Sequence, residues 1–137
     1  KPLQIHDRDA HDDVVAELKK AQAGGYLPEK VVFHCFSGDE RLAEICNIEG
    51  WYMSFSGTVT FKNSKGLQQA LSVADPALLL AETDAPYLTP HPYRGRPNAS
   101  YLMPNTVRFM AAHLERDLAE FCRQLQENTD EVYGVWL

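Results

Sequence analysis

The stretch Val-Val-Phe-His-Cys-Phe-Ser-Gly at residues 31–38 decides the fold of this chain. It opens as a short, continuous apolar run, which is typical of a strand buried on both faces of a parallel sheet. A histidine closes the run, and Ser37 and Asp39 follow as candidate helix caps. Apolar residues at helical spacing then lead to Gly50. The pattern predicts a strand over 31–36 joined directly to a helix.

The same alternation continues on both sides of this unit. Further strands are predicted at 3–6, 51–56 and 78–81. The other predicted helices cover 9–23, 66–73, 101–114 and 117–126, with a last turn or helix at 129–136. This order gives four parallel strands with right-handed crossovers. The predicted fold class is α/β, either half of a (β/α)8 TIM-type barrel or a small open sheet.

Length and composition limit the remaining possibilities. The chain has 137 residues, 45% of them hydrophobic, so we expect residues 1–137 to form a single domain with a real core. A closed eight-stranded barrel needs roughly 200 residues or more. Because the sequence opens almost directly on a strand, we expect a partial barrel that lacks its first strands.

The net charge limits how the chain can bind nucleic acid, and the cysteines indicate the compartment of the cell. The net charge of −6 does not favour holding nucleic acid by bulk charge, so any phosphate binding has to be local or mediated by metal. Three cysteines without CxxC spacing argue against a disulfide framework and fit a reducing, cytoplasmic location. No apolar run approaches the ~18 residues of a membrane span, so no membrane partner is expected.

Three residues with metal-binding side chains end predicted strands: His6, His34 and Asp84. Residues just past the ends of parallel strands face one pocket, so the three are expected to converge. Two imidazoles and a carboxylate without thiolates favour a hydrolytic divalent metal over a structural zinc. Asp84 is also placed to take a proton from a water molecule. The alternative for each single histidine is a capping or hydrogen-bonded core residue.

Other polar residues lie close to these strand ends. Glu82 precedes Asp84 by two residues and therefore points the same way along a strand. It either supports the metal ligands or forms an ion pair inside the barrel. Ser37 and Gly38 occupy a strand-to-helix turn, where backbone N–H groups can bind a phosphate.

Residues 85–98 form a loop that contains four prolines, and we expect it to be stiff and irregular. A long, rigid loop directly after a strand end favours a binding function. Arg94 and Arg96 can clamp a phosphate, or they are solvated charges. Tyr87 and Tyr93 can stack on a base, or they pack the loop on the barrel.

Five blocks in this order resemble the TatD family of metal-dependent deoxyribonucleases. They cover essentially the whole chain but match only the second half of the family's sequence. The blocks are Ile-His-Asp-Arg-Asp-Ala (5–10), His-Cys-Phe-Ser-Gly (34–38), Ser-Gly-Thr-Val-Thr-Phe-Lys-Asn (56–63), Glu-Thr-Asp-Ala-Pro-Tyr-Leu (82–88) and Pro-Tyr-Arg-Gly (92–95).

The resemblance implies a TIM barrel that hydrolyses DNA phosphodiesters with two divalent ions, which are Mg, Mn or Zn. Single-stranded DNA is the substrate that it leads us to expect. It implies that His6 and His34 are ligands of one ion. Asp84 would be a ligand of the other ion and the residue that activates water. Glu82 and Arg94 would support the site and the substrate. The chain departs from the family in two features, because it lacks both the His-x-His pair of the first strand and a bridging glutamate.

Two other functions stay open beside DNA hydrolysis. The first is a catalytically incomplete half-barrel that only folds or associates with itself, because an open four-stranded sheet leaves two edges unpaired. The second is an amidohydrolase-like activity on a small ester or amide, since the fold does not fix the function.

Overall fold

The computed structural model describes residues 1–135, in which strands and helices alternate. The strands are β1 (Leu3–His6), β2 (Val31–His34), β3 (Tyr52–Phe55) and β4 (Leu79–Ala81). The helices are α1 (His11–Ala23), α2 (Glu40–Glu49), α3 (Lys65–Val73), α4 (Met103–His113) and α5 (Leu118–Tyr133). Short 3-10 turns cover Gly57–Thr60, Pro76–Leu78 and Ser100–Leu102.

All four strands are parallel and lie in the order β1-β2-β3-β4, which confirms the predicted α/β arrangement. The register pairs His6 with His34 at the ends of β1 and β2. One strand further on, Phe55 of β3 pairs with Ala81 of β4. The carboxyl ends of the strands therefore form one edge of the sheet, and this edge carries the residues singled out in the sequence.

Strands β2 and β3 are largely buried on both faces, as the apolar run of β2 predicts, whereas the edge strand β1 exposes Gln4 and His6. On one face, Phe33, Met53 and Phe55 pack in a core shared with the helices. On the other face, Val32, Tyr52 and Leu80 form a smaller cluster that Val132 of α5 joins. The alternation of side chains along each strand produces this division.

The ends of α2 follow ordinary capping chemistry at two predicted positions, Asp39 and Gly50, whereas the other candidate cap, Ser37, instead donates to the carbonyl oxygen of Asp7. Asp39 caps α2 by accepting a hydrogen bond from the backbone N–H of Leu42 at 3.0 Å. Gly50 ends the same helix with a φ of 70°, a left-handed conformation that glycine adopts without a steric penalty. These two caps fix where the chain leaves β2 and where it enters β3.

The predicted break between a helix at 117–126 and a last turn or helix at 129–136 was wrong, because α5 runs unbroken from Leu118 to Tyr133. Asn128 and Thr129 do not break it, since their side chains form hydrogen bonds that leave the helix intact. The Asn128 amide donates to the carbonyl oxygens of Pro76 and Leu79, each at 2.8 Å, and fixes α5 to the sheet. Residue 136 of the predicted last segment lies outside the described residues. No helix within residues 1–135 has the length and apolar character needed to cross a membrane.

Candidate metal centre

The site lies where β2 and β4 end, at the carboxyl edge of the sheet. His34 is the last residue of β2. Glu82 directly follows β4, and its backbone N–H donates to the carbonyl of Phe55 at 3.0 Å, which continues the strand pairing by one residue. Asp84 comes two residues later. The sheet itself therefore positions the imidazole and the first carboxylate, and the following turn positions the second.

His34, Glu82 and Asp84 form a group whose potential ligand atoms all lie within 4.8 Å of one another. His34 Nδ1 is 2.8 Å from Glu82 Oε1, and His34 Nε2 is 3.7 Å from Asp84 Oδ1. The imidazole thus lies between the two carboxylates. All three side chains are partly exposed, so a small ion or molecule can reach them.

One oxygen of Glu82 has no hydrogen-bond partner although it is buried. Its distance to His34 Nδ1 is short enough for a hydrogen bond, but the alignment does not make one, so we treat Oε1 as unsatisfied. The other oxygen, Oε2, accepts a hydrogen bond from the backbone N–H of Cys35 at 3.1 Å. An unsatisfied buried carboxylate oxygen is costly. A cation bound beside the imidazole removes that cost.

The charges around the group favour a cation. Within residues 1–135, Glu82 and Asp84 form no ion pair with a lysine or an arginine. Burial raises the pKa of the Cys35 thiol, and the two carboxylates raise it further, while a hydrogen bond with Ser56 lowers it. The two carboxylates therefore disfavour a further negative charge beside them and favour a cation.

Two residues of this edge adopt left-handed backbone conformations without being glycine. Cys35 has a φ of 45° and Asp84 a φ of 58°. Such a conformation costs about 1–2 kcal/mol for an ordinary side chain. Backbone strain of this kind concentrates at functional sites, and here it turns the chain at the two strand ends that carry the ligands.

The donor set fits a divalent metal ion. One imidazole and two carboxylates suit Zn²⁺ or Mn²⁺. Two ligands bonded at about 2.2 Å to one ion lie at most about 4.4 Å apart. The ligand atoms of the three side chains all lie within 4.8 Å of one another, which is close to that separation.

The other predicted site residues lie around this group in different ways. The ring of His6 lies 6.2 Å from that of His34, beside the group and outside its three members. Ser37 donates its hydroxyl to the carbonyl oxygen of Asp7 at 2.9 Å, so it joins two loops. Arg94 stacks on Phe61, with 3.7 Å between its Cζ atom and the ring centroid.

Two residues that support the site were not recognised in the sequence. The buried carboxylate of Asp7 binds the side chain of His11 and accepts from the backbone N–H of Ala10 at 3.2 Å, which fixes the chain just after His6. The buried Asn98 donates its amide to the carbonyl oxygens of Thr83, at 2.8 Å, and Tyr87, at 2.7 Å. Asp7 could have been found from the sequence, because it is an aspartate just ahead of a predicted helix. No local sequence pattern indicated Asn98.

A parallel α/β sheet with an imidazole and two carboxylates at the carboxyl ends of its strands is typical of metal-dependent hydrolases built on a barrel. The family model described as TatD related DNase matches residues 1–134. The chain belongs to this family, which confirms the resemblance in the sequence.

Relatives and solved structures agree with this family. The metal-dependent hydrolase TatD of Mycobacterium tuberculosis is 42% identical over 138 residues, which is 100% of this chain and 51% of that protein. YabD of Bacillus subtilis, also named a metal-dependent hydrolase, is 36% identical over 98% of this chain and 51% of its own length. The crystal structure of YJJV, a TatD homolog from Escherichia coli, superimposes with a TM-score of 0.89 at 27% identity, covering 98% of this chain and 51% of that one.

The chain therefore spans about half the length of the curated relatives it matches. Its four strands correspond to half of a TIM-type barrel.

Proposed function

We propose that this chain carries the His34–Glu82–Asp84 part of a metal-dependent phosphodiesterase site that hydrolyses DNA. The observation that supports the proposal best is the convergence of the three side chains around a buried, unsatisfied carboxylate oxygen. The family description supports DNA as the substrate.

Each residue has a distinct part in this proposal. His34, Glu82 and Asp84 hold a divalent ion, and His6 lies close enough to His34 to contribute a further nitrogen. A bound divalent ion supplies stabilisation of the negative charge that develops on the phosphate. Asp84 accepts the proton from the attacking water, because its carboxylate is more exposed than that of Glu82. Arg94 contacts a phosphate of the substrate.

Hydrolysis of end-labelled single-stranded DNA by the purified chain tests this proposal. We expect cleavage with Mn²⁺ or Mg²⁺ and none with excess chelator, because the two carboxylates have no lysine or arginine partner among the described residues and a bound divalent ion would stabilise the charge that develops on the phosphate. An aryl ester serves as the comparison substrate. Absence of cleavage by folded protein, or faster metal-dependent turnover of the ester than of DNA, contradicts the proposal. The first of these results leaves the catalytically incomplete half-barrel as the explanation.

The predicted self-association and the predicted cytoplasmic location stay predictions.

A further inference from the structure

A cavity lies in the stiff loop that follows β4. We call it the loop pocket and define it by Phe61, Pro86, Tyr87, Leu88, Arg94 and Arg96. Its volume is about 370 Å³. That volume is within the range of pockets that hold small organic molecules. The pocket combines flat side chains with cationic ones.

The two arginines of the loop pocket have no anionic partner. Among residues 1–135, neither Arg94 nor Arg96 forms an ion pair, although the chain has 19 acidic residues and only 13 basic ones. The guanidinium of Arg94 instead lies over the ring of Phe61. A guanidinium that is oriented in advance by an aromatic ring keeps its N–H groups free for a phosphate.

The aromatic side chain at the rim of the pocket is available for stacking. Tyr87 is 71% exposed, although it belongs to a loop whose backbone is fixed. An exposed large ring does not gain the favourable free energy that burial of its surface would give. A planar ligand that stacks on the ring would bury that surface. A nucleobase has the required flat face, and stacking on an aromatic ring needs a base that is not already paired and stacked in a duplex.

The loop is held in place before any ligand binds. Asn98 binds the carbonyl oxygen of Tyr87, as described above. A Cβ atom added to Gly57 would lie 2.0 Å from the carbonyl oxygen of Leu88, so the loop packs directly on the turn that follows β3. A binding loop that is already ordered loses little conformational entropy when the ligand arrives.

The pocket is also linked directly to the metal centre. The backbone N–H of Tyr87 donates to the carbonyl oxygen of Asp84 at 3.0 Å, so the stacking residue follows the ligand by a single tight turn. A polymer that places one phosphate at Asp84 therefore has its neighbouring nucleotide within reach of the loop pocket.

We propose that the loop pocket binds one nucleotide of single-stranded DNA next to the bond that is cleaved, with its base on Tyr87 and its phosphate on Arg94 and Arg96. This inference rests on the proposed function, since it assigns a subsite to the same substrate. It specifies which side chains recognise the DNA and assigns them no part in the bond cleavage.

The test is the binding of a fluorescein-labelled oligothymidylate, measured by fluorescence anisotropy with chelator present so that no cleavage occurs. We expect Tyr87→Ala to weaken binding about 5- to 150-fold, the range expected when one base–aromatic stack is removed. Tyr87→Phe keeps the ring and should bind within about twofold of the wild type. The control Tyr26→Ala removes an exposed tyrosine outside the pocket and should have no effect.

The interactions with phosphate have a separate readout, the dependence of affinity on salt. The slope of log K against log salt should fall by about 0.7 for each phosphate that a variant no longer neutralises. Arg94→Ala and Arg96→Ala should each show this change, and Arg123→Ala on the exposed part of α5 should not. An oligomer of abasic deoxyribose phosphates should still respond to Arg94→Ala and should no longer respond to Tyr87→Ala. Urea unfolding of each variant shows whether the fold is preserved.

Affinity that is unchanged in folded Tyr87→Ala and Arg94→Ala overturns the inference, and so does the absence of wild-type binding at millimolar protein. These outcomes are distinct from failure of the proposed function. Pocket-dependent binding without metal-dependent cleavage supports the subsite and rejects the catalytic proposal. Cleavage without pocket-dependent binding supports the catalytic proposal and rejects the subsite.

Discussion

Replacement of Asp84 by Asn should lower the rate of metal-dependent DNA hydrolysis by a factor of about 10²–10⁴. The change removes one carboxylate from the ligand group and also removes the group that accepts the proton from water. Asparagine is nearly isosteric with aspartate and tolerates the left-handed conformation that residue 84 adopts, so the backbone should be preserved. The measurement is the initial rate of cleavage of end-labelled single-stranded DNA at saturating Mn²⁺.

Asp130→Asn is the matched control for this variant. It makes the same chemical change in α5, where the next residue, Glu131, pairs with Lys30 just before β2, at the opposite edge of the sheet. Its rate should equal that of the wild type. If Asp84→Asn retains more than half of the wild-type rate while remaining folded, Asp84 is not the proton acceptor.

Phe55→Ala should lower the free energy of unfolding by about 3–5 kcal/mol, because a buried aromatic side chain leaves a cavity when it is truncated. Phe55 has no exposed surface, and its ring centroid lies 5.3 Å from that of Phe36. It also lies in β3 next to the strand end that carries Glu82. Urea unfolding followed by circular dichroism measures the change.

The exposed Ile48 of α2 provides the comparison for Phe55. Its side chain is 82% exposed, so Ile48→Ala should change the free energy of unfolding by less than about 0.5 kcal/mol. A decrease of less than about 1 kcal/mol for Phe55→Ala would show that the core around β3 is not packed as described.

The fold was largely predictable because its signals are local. Continuous apolar runs and caps such as Asp39 and Gly50 determine where each strand and helix lies. Right-handed crossovers then make the strand order follow the chain. The break predicted within the last helix was wrong because its polar residues bind distant backbone. Asn128 reaches Pro76 and Leu79, and a sequence pattern within one helix does not contain that contact.

The candidate site was predictable in position but not in detail. The sequence predicted that Glu82 points the same way as Asp84 along a strand, and it left two roles open for Glu82, support of the metal ligands or an ion pair inside the barrel. However, β4 ends at Ala81, so both carboxylates follow the strand. In the structure Glu82 approaches His34 more closely than Asp84 does. The reason is a contact between residues 47 positions apart, in which the backbone of Cys35 fixes the carboxylate of Glu82 beside the imidazole. A local sequence pattern does not predict a contact between residues that are so far apart in the chain.

The placement of His6 illustrates the same limit. Its register with His34 followed from the strand pattern, and the two rings are neighbours as expected. Whether a neighbouring ring joins a ligand group depends on side-chain directions, which the strand pattern does not specify.

Titration of Mn²⁺ into the metal-free chain by isothermal calorimetry tests the metal centre most directly. One ion should bind per chain to the group of His34, Glu82 and Asp84, and Glu82→Gln should weaken its binding at least about tenfold. Glu44→Gln, at an exposed position of α2, should leave the affinity unchanged. Equal Mn²⁺ affinity in the wild type and in Glu82→Gln, or no binding to the wild type, would contradict the assignment of these three side chains as a metal site.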